Sequence, residues 1–273
     1  MRWLSRRTFL FIDLHTHILP GIDDGSADLE MSFEMARVAV AEGTRYLACT
    51  PHITPGIYEN RSADIRLRVR ELQSALDKAD IGLKLVAGAD IHIAPDLIER
   101  LSSDQYPRIG TSRYFLFEPA HHVLPPNTVR YCEALLDAGY RPILTHPERL
   151  TWIEKHYDVI TALDELGLVI QLTAASVTGR FGARALYWSE RMLDEGRVDI
   201  VASDAHDPVR RPPRLVSAFE KVSSRLGEAA GKQMFWDNPK AILLDQDLDH
   251  KTRRIELAPK TNRHPPGFGF FRK

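Results

Sequence analysis

The chain has few cysteines and no long apolar run, and both absences restrict its class. Only Cys49 and Cys132 occur among 273 residues, too few for a disulfide framework or a cysteine-based zinc site. No segment approaches the roughly 18 apolar residues that a transmembrane helix requires. The apolar stretch at 9–12 is also shorter than a signal-peptide core. We therefore expect a soluble cytoplasmic protein without a membrane-inserted segment.

The chain also lacks an excess of positive or negative charge and the common phosphate-binding motifs. The formal net charge is -1, which disfavours a nucleic-acid partner. The chain has no G-x-x-x-x-G-K-[ST] and no strand-linked G-x-G-x-x-G, so a glycine loop around a nucleotide is not indicated. Pro55 and Ala138 stand where the C-x5-R signature of thiolate phosphatases would need arginine. The nucleophile elbow of Ser-His-Asp hydrolases is absent as well.

Short apolar runs alternate with longer stretches of helical period, which is the pattern of βα units around a parallel sheet. We find no internal repeat and no linker, so we predict one α/β domain at 9–248. It follows an extension at 1–8 and precedes a basic tail at 249–273 that we predict to be disordered. The predicted strands are 9–15, 45–52, 83–90, 113–118, 141–146, 167–173 and 198–204.

The predicted helices follow from apolar residues at helical spacing. In the first of them, Leu29, Phe33, Ala36 and Val40 form one stripe, and Gly43 ends the helix. The other predicted helices are 62–79, 127–138, 151–166, 182–195, 213–229 and a last short one that begins with Asn238 as N-cap and Pro239 at its first position.

Six of the seven predicted strands end in side chains that can bind a metal. In a barrel of parallel strands, all carboxyl ends meet on the face where such barrels build active sites. Residues i and i+2 of an extended chain point to the same side, so neighbouring pairs can reach one ion. Imidazoles and carboxylates without thiolates suit Zn, Mn or Fe, and seven or more ligands indicate two or three ions. The residues are His15 with His17, His52, Asp90, Glu118, His146, and Asp204 with His206.

Each of these features alone has an ordinary structural explanation. A lone His146 is typical of a hydrogen-bonded interior residue, and the Asp23-Asp24-Gly25 stretch is typical of a turn. Glu118 could belong to a buried ion pair. Their coincidence at one end of six strands favours a metal site instead.

Arginines in two loops at the same end of the strands add a second theme. Arg149 lies three residues after His146, and Arg211 follows His206 with Pro212 stiffening the chain behind it. Guanidinium groups there can bind phosphate oxygens with two parallel hydrogen bonds. The alternative is a solvated basic loop, which also applies to Arg210 and Arg214. We expect His121 and His122 in the loop after Glu118, within reach of a substrate.

Taken together, eight stretches resemble, in order and spacing, the CpsB-like group of PHP-type (polymerase and histidinol phosphatase) protein-tyrosine phosphatases. The resemblance covers roughly 11–245 and implies a distorted (β/α)7 TIM-like barrel, the PHP fold. It also implies a trinuclear site, usually of manganese or iron. The stretches are DLHTHILPGIDDG, TPHITPGIY, GADIHIAPDL, RYFLFE, THPER, QLTAASVTGRFG, VASDAHDPVRRPP and DNPKAILL.

The resemblance also implies a role for individual residues. Arg149 and Arg211 fall on the phosphate-binding arginines of the group. Asp90 stands where the group usually has Glu, and its carboxylate is one methylene shorter; Thr173 stands where many members have Asn. The implied metal ligands are His15, His17, Asp24, His52, Asp90, Glu118, His146, Asp204 and His206.

The implied reaction is metal-dependent hydrolysis of phosphotyrosine, and the implied partner is a bacterial tyrosine autokinase that controls capsular or exopolysaccharide synthesis. Two other readings stay open. One is the same scaffold acting on a small molecule such as histidinol phosphate, or on nucleic acid. The other is a non-catalytic regulator that binds a phosphorylated protein without hydrolysing it.

Overall fold

The computed structural model describes residues 9–248. The predicted extension at 1–8 and the predicted tail at 249–273 lie outside these residues. The strands of the described part are β1 (Phe11–Thr16), β2 (Thr44–Cys49), β3 (His52–Ile53), β4 (Lys84–Ala87), β5 (Asp90–His92), β6 (Tyr114–Glu118), β7 (Arg141–Thr145), β8 (Val169–Thr173) and β9 (Ile200–Ala202).

Helices connect these strands. Within 9–248, none of them combines the length and apolar character that spanning a bilayer would need. A 3-10 turn, Pro147–Arg149, follows β7, and a π-helical turn, Gln233–Asp237, joins the last two helices. The α-helices are α1 (Leu29–Glu42), α2 (Ser62–Lys78), α3 (Leu97–Ser102), α4 (Thr128–Asp137), α5 (Tyr157–Leu166), α6 (Ala174–Val177), α7 (Gly182–Asp194), α8 (Val216–Leu226), α9 (Glu228–Lys232) and α10 (Asn238–Leu243).

All strand pairs are parallel, in the orders β1-β2-β4 and β3-β5-β6-β7-β8-β9. β3 continues the course of β2 after a two-residue break, and β5 continues that of β4, so nine segments occupy seven positions. A bridge between Thr16 and Ala205 joins the two ends of the sheet, and the Asp204 amide donates to the His15 carbonyl at 2.9 Å. The predicted distorted (β/α)7 barrel is therefore confirmed, and the two broken strands are its distortion.

Alternation along the strands separates two apolar layers. In β6, Tyr114 and Leu116 belong to a cluster that takes residues from most strands and fills the barrel, whereas Phe115 and Phe117 pack with the helices. Ile242 and other residues after α9 join the inner cluster, and the Tyr114 hydroxyl donates to the Gln246 carbonyl at 2.8 Å. The last helix thus closes the amino-terminal end of the barrel, and the carboxyl end is left for polar side chains.

The predicted apolar stripe of α1 is partly wrong. Leu29 is 45% exposed, while the buried face includes Ser32 and Met35. The reason is polar: Asp28 caps the helix by accepting from the Met31 amide at 2.9 Å, and the Ser32 hydroxyl donates to the Ile18 carbonyl at 2.7 Å. Two side-chain hydrogen bonds therefore set the rotation of the helix, and Gly43 ends it in a left-handed conformation as predicted.

The predicted start of the last helix is also wrong. Asn238 is helical (φ -66°, ψ -47°) and continues a run of helical turns that begins with α9. Its side chain is buried and donates to the Asp199 carbonyl at 2.7 Å. The Asn238 side chain therefore bonds to a distant residue, directly before β9, instead of capping its own helix. Sequence spacing cannot distinguish these two roles of an asparagine. The helix predicted from residue 151 begins at Tyr157, because turns precede it and the Trp152 indole donates to the Ala120 carbonyl.

Candidate active site

The fold brings the nine predicted ligands together at the carboxyl ends of the strands. They form four overlapping groups in which the candidate ligand atoms lie within 4.8 Å of one another. The groups share members and therefore form one continuous cluster. Each of four residues belongs to two groups: His15, His17, His52 and Asp90. The groups are His17, Asp24, His52 and His206; His15, Asp90 and His146; His15, His17 and Asp204; and His52, Asp90 and Glu118.

His15 and His17 show how a strand delivers two ligands. Both are buried, and their Nε2 atoms lie 3.2 Å apart and 3.5 Å from Asp204 Oδ1. The other ring nitrogen of each faces an oxygen: His15 Nδ1 lies 2.8 Å from Gln171 Oε1, and His17 Nδ1 lies 2.7 Å from Asp23 Oδ2. Because both oxygens are acceptors, the Nδ1 atoms carry the protons in the neutral rings and the Nε2 lone pairs face the cluster.

Two ligand positions use backbone conformations that are rare outside glycine. His146, directly after β7, has φ +35°, and Asp204, after β9, has φ +52°. Such conformations cost of order 1–3 kcal/mol and persist where the surroundings enforce them. Here they turn an imidazole and a carboxylate from the strand ends into the cluster.

The cluster has too few positive charges to keep all of its buried carboxylates ionised. Burial alone would raise the pKa of Asp90, but the imidazoles of His15 and His52 hold it far below its ordinary value. Burial also opposes ionisation of Asp204, yet His15 and other cationic neighbours lower its pKa strongly. Burial, followed by repulsion from Asp90 and Asp204, raises the pKa of Glu118 to about 9. An additional positive charge in the cluster would therefore be stabilised.

Three imidazoles of the cluster favour the neutral form that binds metals. Burial is the main reason why the pKa of His206 falls to about 2, and the charge of His17 adds to it. Burial and then Arg149 lower the pKa of His146, and burial with His17 lowers that of His52. His17 differs: burial would lower its pKa, but hydrogen bonds to Asp204 and Asp23 raise it to about 10.

The donor set fits a cluster of divalent transition metals. Among the described residues, both carboxylate oxygens of Asp90 are buried without a hydrogen-bond partner, as is Nδ1 of His52, which lies 3.6 Å from Glu118 Oε2. Buried polar atoms without a partner are costly, and a cation is the partner that an ionised carboxylate and neutral imidazoles share. Despite its short side chain, Asp90 places Oδ2 3.4 Å from His15 Nε2 and 3.6 Å from His52 Nδ1.

The two predicted arginines meet at the edge of this cluster. Arg149 ends the 3-10 turn after β7, and Arg211 lies in the loop after β9; both donate to Asp204 Oδ2, Arg211 at 2.7 Å. Their side chains are 24% and 26% exposed. The guanidinium carbons lie 5.0 Å and 5.7 Å from the centre of the Phe181 ring. A phosphoryl group can therefore approach both arginines from solvent. Arg210 and Arg214 are exposed.

A cleft of about 330 Å³ adjoins the arginine pair. Its lining includes His121, as expected for the loop after β6, and Arg184, which is held by Glu154. The imidazole Nε2 of His121 is buried and has no hydrogen-bond partner within residues 9–248. The cleft thus offers cationic, aromatic and imidazole groups beside the candidate metal-ligand cluster.

Four supporting residues escaped prediction. Asp23 and Gln171 orient the imidazoles of β1, Asp13 accepts from the Ser203 amide at 3.0 Å, and Glu148 accepts from the Thr173 amide at 3.0 Å. The available signal was a single polar residue inside an apolar strand, as in FIDLH for Asp13 and VIQLT for Gln171. The last two contacts tie β1 to β9 and the turn of Arg149 to β8.

Comparison with known proteins identifies the family. A family model for capsular polysaccharide synthesis, CpsB/CapC, matches residues 11–244. The chain belongs to the CpsB/CapC family. Tyrosine-protein phosphatase YwqE of Bacillus subtilis (strain 168) is 32% identical over 265 residues, which cover 95% of this chain and 100% of YwqE. Tyrosine-protein phosphatase CpsB of Streptococcus pneumoniae is 30% identical over 243 residues, covering 86% of this chain and 99% of CpsB.

Solved structures agree with the CpsB/CapC assignment. A crystal structure from work on YwqE and CpsB, described as metal-dependent tyrosine phosphatases, superposes with a TM-score of 0.83 at 32% identity and covers 86% of this chain and 95% of that one. The phosphotriesterase homology protein of Escherichia coli gives a TM-score of 0.53 at 11% identity, a likeness of fold alone. The resemblance on which the sequence prediction rested is therefore confirmed.

Proposed function

We propose that this CpsB/CapC protein is a metal-dependent protein-tyrosine phosphatase. The observation that carries the proposal is the placement of two arginines against a continuous cluster of imidazoles and carboxylates. The names of YwqE and CpsB, and the metal dependence stated for their crystal structures, support the same reaction.

The proposed metal ligands are the nine clustered residues, with room for two or three divalent ions. Manganese is our first choice, and iron or zinc would suit the same imidazole and carboxylate donors. Asp90 and His15 each belong to two of the four groups, so we propose them as central members of the set that would hold the ions. When bound, such cations lower the pKa of water toward neutrality and act as Lewis acids toward phosphoryl oxygens.

The protein's own residues bind and orient the phosphate ester. Arg149 and Arg211 donate hydrogen bonds to phosphoryl oxygens, whose negative charge they neutralise. Asp204 fixes both guanidinium groups in advance through Oδ2, so the substrate meets a preorganised pair. The leaving group of phosphotyrosine is a phenolate, with a pKa near 10 in the free side chain, so it needs less help from a general acid than an alkoxide would.

A cysteine nucleophile does not compete with this scheme. Cys49 and Cys132 are both buried, and burial raises the pKa of the Cys132 thiol to about 12 and that of Cys49 further. A thiolate is the reactive form, so neither side chain is available to attack phosphorus at neutral pH.

The deciding experiment measures turnover of a phosphotyrosine peptide with the full chain. Dialysis against EDTA should abolish release of phosphate, and added manganese should restore it in proportion to the metal bound. Histidinol phosphate and single-stranded DNA are assayed beside the peptide and should react far more slowly. Full activity in metal-free protein would falsify the proposal, and binding of the peptide without turnover would favour a non-catalytic regulator.

We further propose that the natural substrate is a phosphotyrosine protein, a bacterial tyrosine kinase, encountered in the cytoplasm. The family description, which concerns capsular polysaccharide synthesis, supports this setting. Incubation with an autophosphorylated tyrosine kinase should remove its phosphotyrosine, as read by mass spectrometry of its tyrosine-containing peptides. A kinase that keeps its phosphate while the model peptide is hydrolysed would contradict the partner but not the activity.

A further inference from the structure

We propose that Phe181 is the specificity-determining residue of this site and receives the aromatic ring of the substrate. The inference rests on the proposed function and deepens it, because it explains how an aryl phosphate is preferred over an alkyl phosphate. Its basis is the position of the Phe181 ring, which lines the cleft beside the phosphate-binding arginines.

The arginine pair determines where the ester group of the substrate lies. A phosphoryl group bound by Arg149 and Arg211 lies within hydrogen-bond distance of guanidinium nitrogens, and those guanidinium carbons are 5.0 Å and 5.7 Å from the Phe181 ring centre. The substituent on the ester oxygen therefore enters the cleft next to Phe181. Aromatic rings attract one another in stacked or edge-to-face geometry beyond the gain from burial alone.

Hydrogen bonds fix the backbone that carries Phe181. The segment between α6 and α7 forms a turn in which the Arg180 amide donates to the Ala175 carbonyl at 2.8 Å and the Gly182 amide donates to the Gly179 carbonyl at 3.0 Å. Phe181 directly precedes α7 and is half-buried. A residue whose backbone is fixed before binding loses less conformational entropy when a ligand binds, which increases its value for recognition.

The size and lining of the cleft fit a single phosphorylated ring. Its volume of about 330 Å³ lies at the lower end of the range of about 300–1,000 Å³ that is usual for small-ligand sites. His121 and three arginines, Arg149, Arg184 and Arg211, add polar groups to the same lining. The cleft is thus aromatic on one part and polar on another, as the two ends of phosphotyrosine require.

The test compares the binding of phenylphosphonate and methylphosphonate, two stable analogues that differ in the ring, to the manganese-loaded protein by calorimetry. The wild type should bind phenylphosphonate more tightly. Phe181→Ala should weaken phenylphosphonate about tenfold and methylphosphonate less than about twofold, whereas Phe181→Tyr, which keeps the ring, should retain the preference. Phe33→Ala is the matched control, since Phe33 is also half-buried beneath a guanidinium, that of Arg37 at 5.7 Å, but lies on α1 outside the cleft.

Equal weakening of both phosphonates in Phe181→Ala would overturn the inference, because Phe181 would then only position the arginines. Unchanged binding of both ligands would overturn it too. If the alanine variant does not fold, Phe181→Leu replaces it and should lose the preference that Phe181→Tyr keeps. Turnover of the phosphotyrosine peptide is measured separately, so loss of ring discrimination and failure of the proposed phosphatase activity give different results.

Discussion

At the scale of single residues, Asp204 contacts both the histidines of the cluster and the two arginines beside it. Its Oδ1 lies 3.5 Å from the Nε2 atoms of His15 and His17, while its Oδ2 accepts from Arg149 and Arg211. One carboxylate therefore links the candidate metal-ligand cluster to the two arginines proposed to bind phosphate. Binding of a phosphoryl group and occupation of the cluster should consequently influence each other.

Arg149→Ala should lower kcat/KM for a phosphotyrosine peptide by about 100-fold, a loss comparable to removing one donor to a developing oxyanion. The physical reason is that the phosphoryl charge loses one of its two guanidinium partners. At saturating manganese, metal content measured by plasma emission should stay at the wild-type level, because Arg149 contacts Asp204 but is not itself among the clustered residues.

Arg130→Ala is the control for this change, since Arg130 is exposed on α4 and its loss alters the net charge equally. It should leave kcat/KM within about twofold of the wild type, as surface substitutions usually do. Retention of wild-type kcat/KM in Arg149→Ala would contradict the role assigned to this side chain.

Gln171→Leu should weaken manganese binding by about 10–100-fold, the usual effect of removing the partner that orients a ligating imidazole. His15 Nδ1 would lose its oxygen acceptor, and the ring could rotate away from the cluster. Gln171→Glu keeps an oxygen and should bind manganese more tightly than the leucine variant. Calorimetric titration of metal-free protein checks both, and equal affinities would refute an orienting role for Gln171.

The sequence predicts the candidate ligands better than the residues that support them. Eight of the nine candidate ligands were predictable because parallel strands bring their carboxyl ends together, a consequence of chain direction alone, whereas Asp24 followed only from the family resemblance. Gln171 and Asp13 were not predictable, because their partners lie on other strands: Gln171 on β8 meets His15 on β1, two strand positions away, and Asp13 accepts from the Ser203 amide after β9. Register across strands is set by packing, and a single sequence does not reveal it.

At the scale of elements, the broken strands explain a second limit of prediction. The runs RYLACTPH and LKLVAGAD look continuous, yet the first is divided into β2 and β3 and the second into β4 and β5. After each break the partners change from one sheet to the other. His52 and Asp90 lie directly after the breaks, so the breaks that distort the barrel also position two candidate ligands.

The connection between β1 and α1 contains a glycine, Gly25, at a position where there is no room for a side chain. A Cβ at Gly25 would lie 2.2 Å from the His17 carbonyl oxygen and 2.4 Å from the His17 Cβ, so the loop that carries Asp23 and Asp24 would have to move. Gly25→Ala should therefore lower the free energy of unfolding by about 1–3 kcal/mol, as for other overpacked sites. It should also weaken manganese binding.

Thermal unfolding and metal titration of Gly25→Ala test this, with Gly82→Ala as control. Nothing lies within 4 Å of a Cβ added at the exposed Gly82, so that variant should unfold within about 0.5 kcal/mol of the wild type. Equal melting temperatures of the two variants would show that the close approach at Gly25 has no consequence.

At the scale of the whole molecule, barrel closure and the candidate metal site are coupled. The bridge between Thr16 and Ala205 and the hydrogen bond from the His17 amide to the Ala205 carbonyl at 2.8 Å join the first strand to the last. Candidate metal ligands flank this seam on both sides, at His15 and at His206. Cations that bind only the closed barrel stabilise it by mass action.

Manganese at about 100 times its dissociation constant should therefore add about 2.7 kcal/mol to the free energy of unfolding. In a domain of this size the melting temperature should rise by about 5–10 °C, as followed by differential scanning calorimetry with and without EDTA. Asp90→Asn, which removes a charged candidate ligand of two groups, should reduce this rise. A melting temperature that ignores manganese, iron and zinc alike would contradict the proposed cluster.

The spread of the donors along the polypeptide, from His15 to His206, has a consequence for biosynthesis. A ribosome releases the first two imidazoles early, but the final carboxylate and imidazole emerge only after residue 206 has left the exit tunnel. A nascent fragment that ends before residue 206 lacks part of the candidate ligand set, so we expect complete metal loading only after translation has passed the last strand.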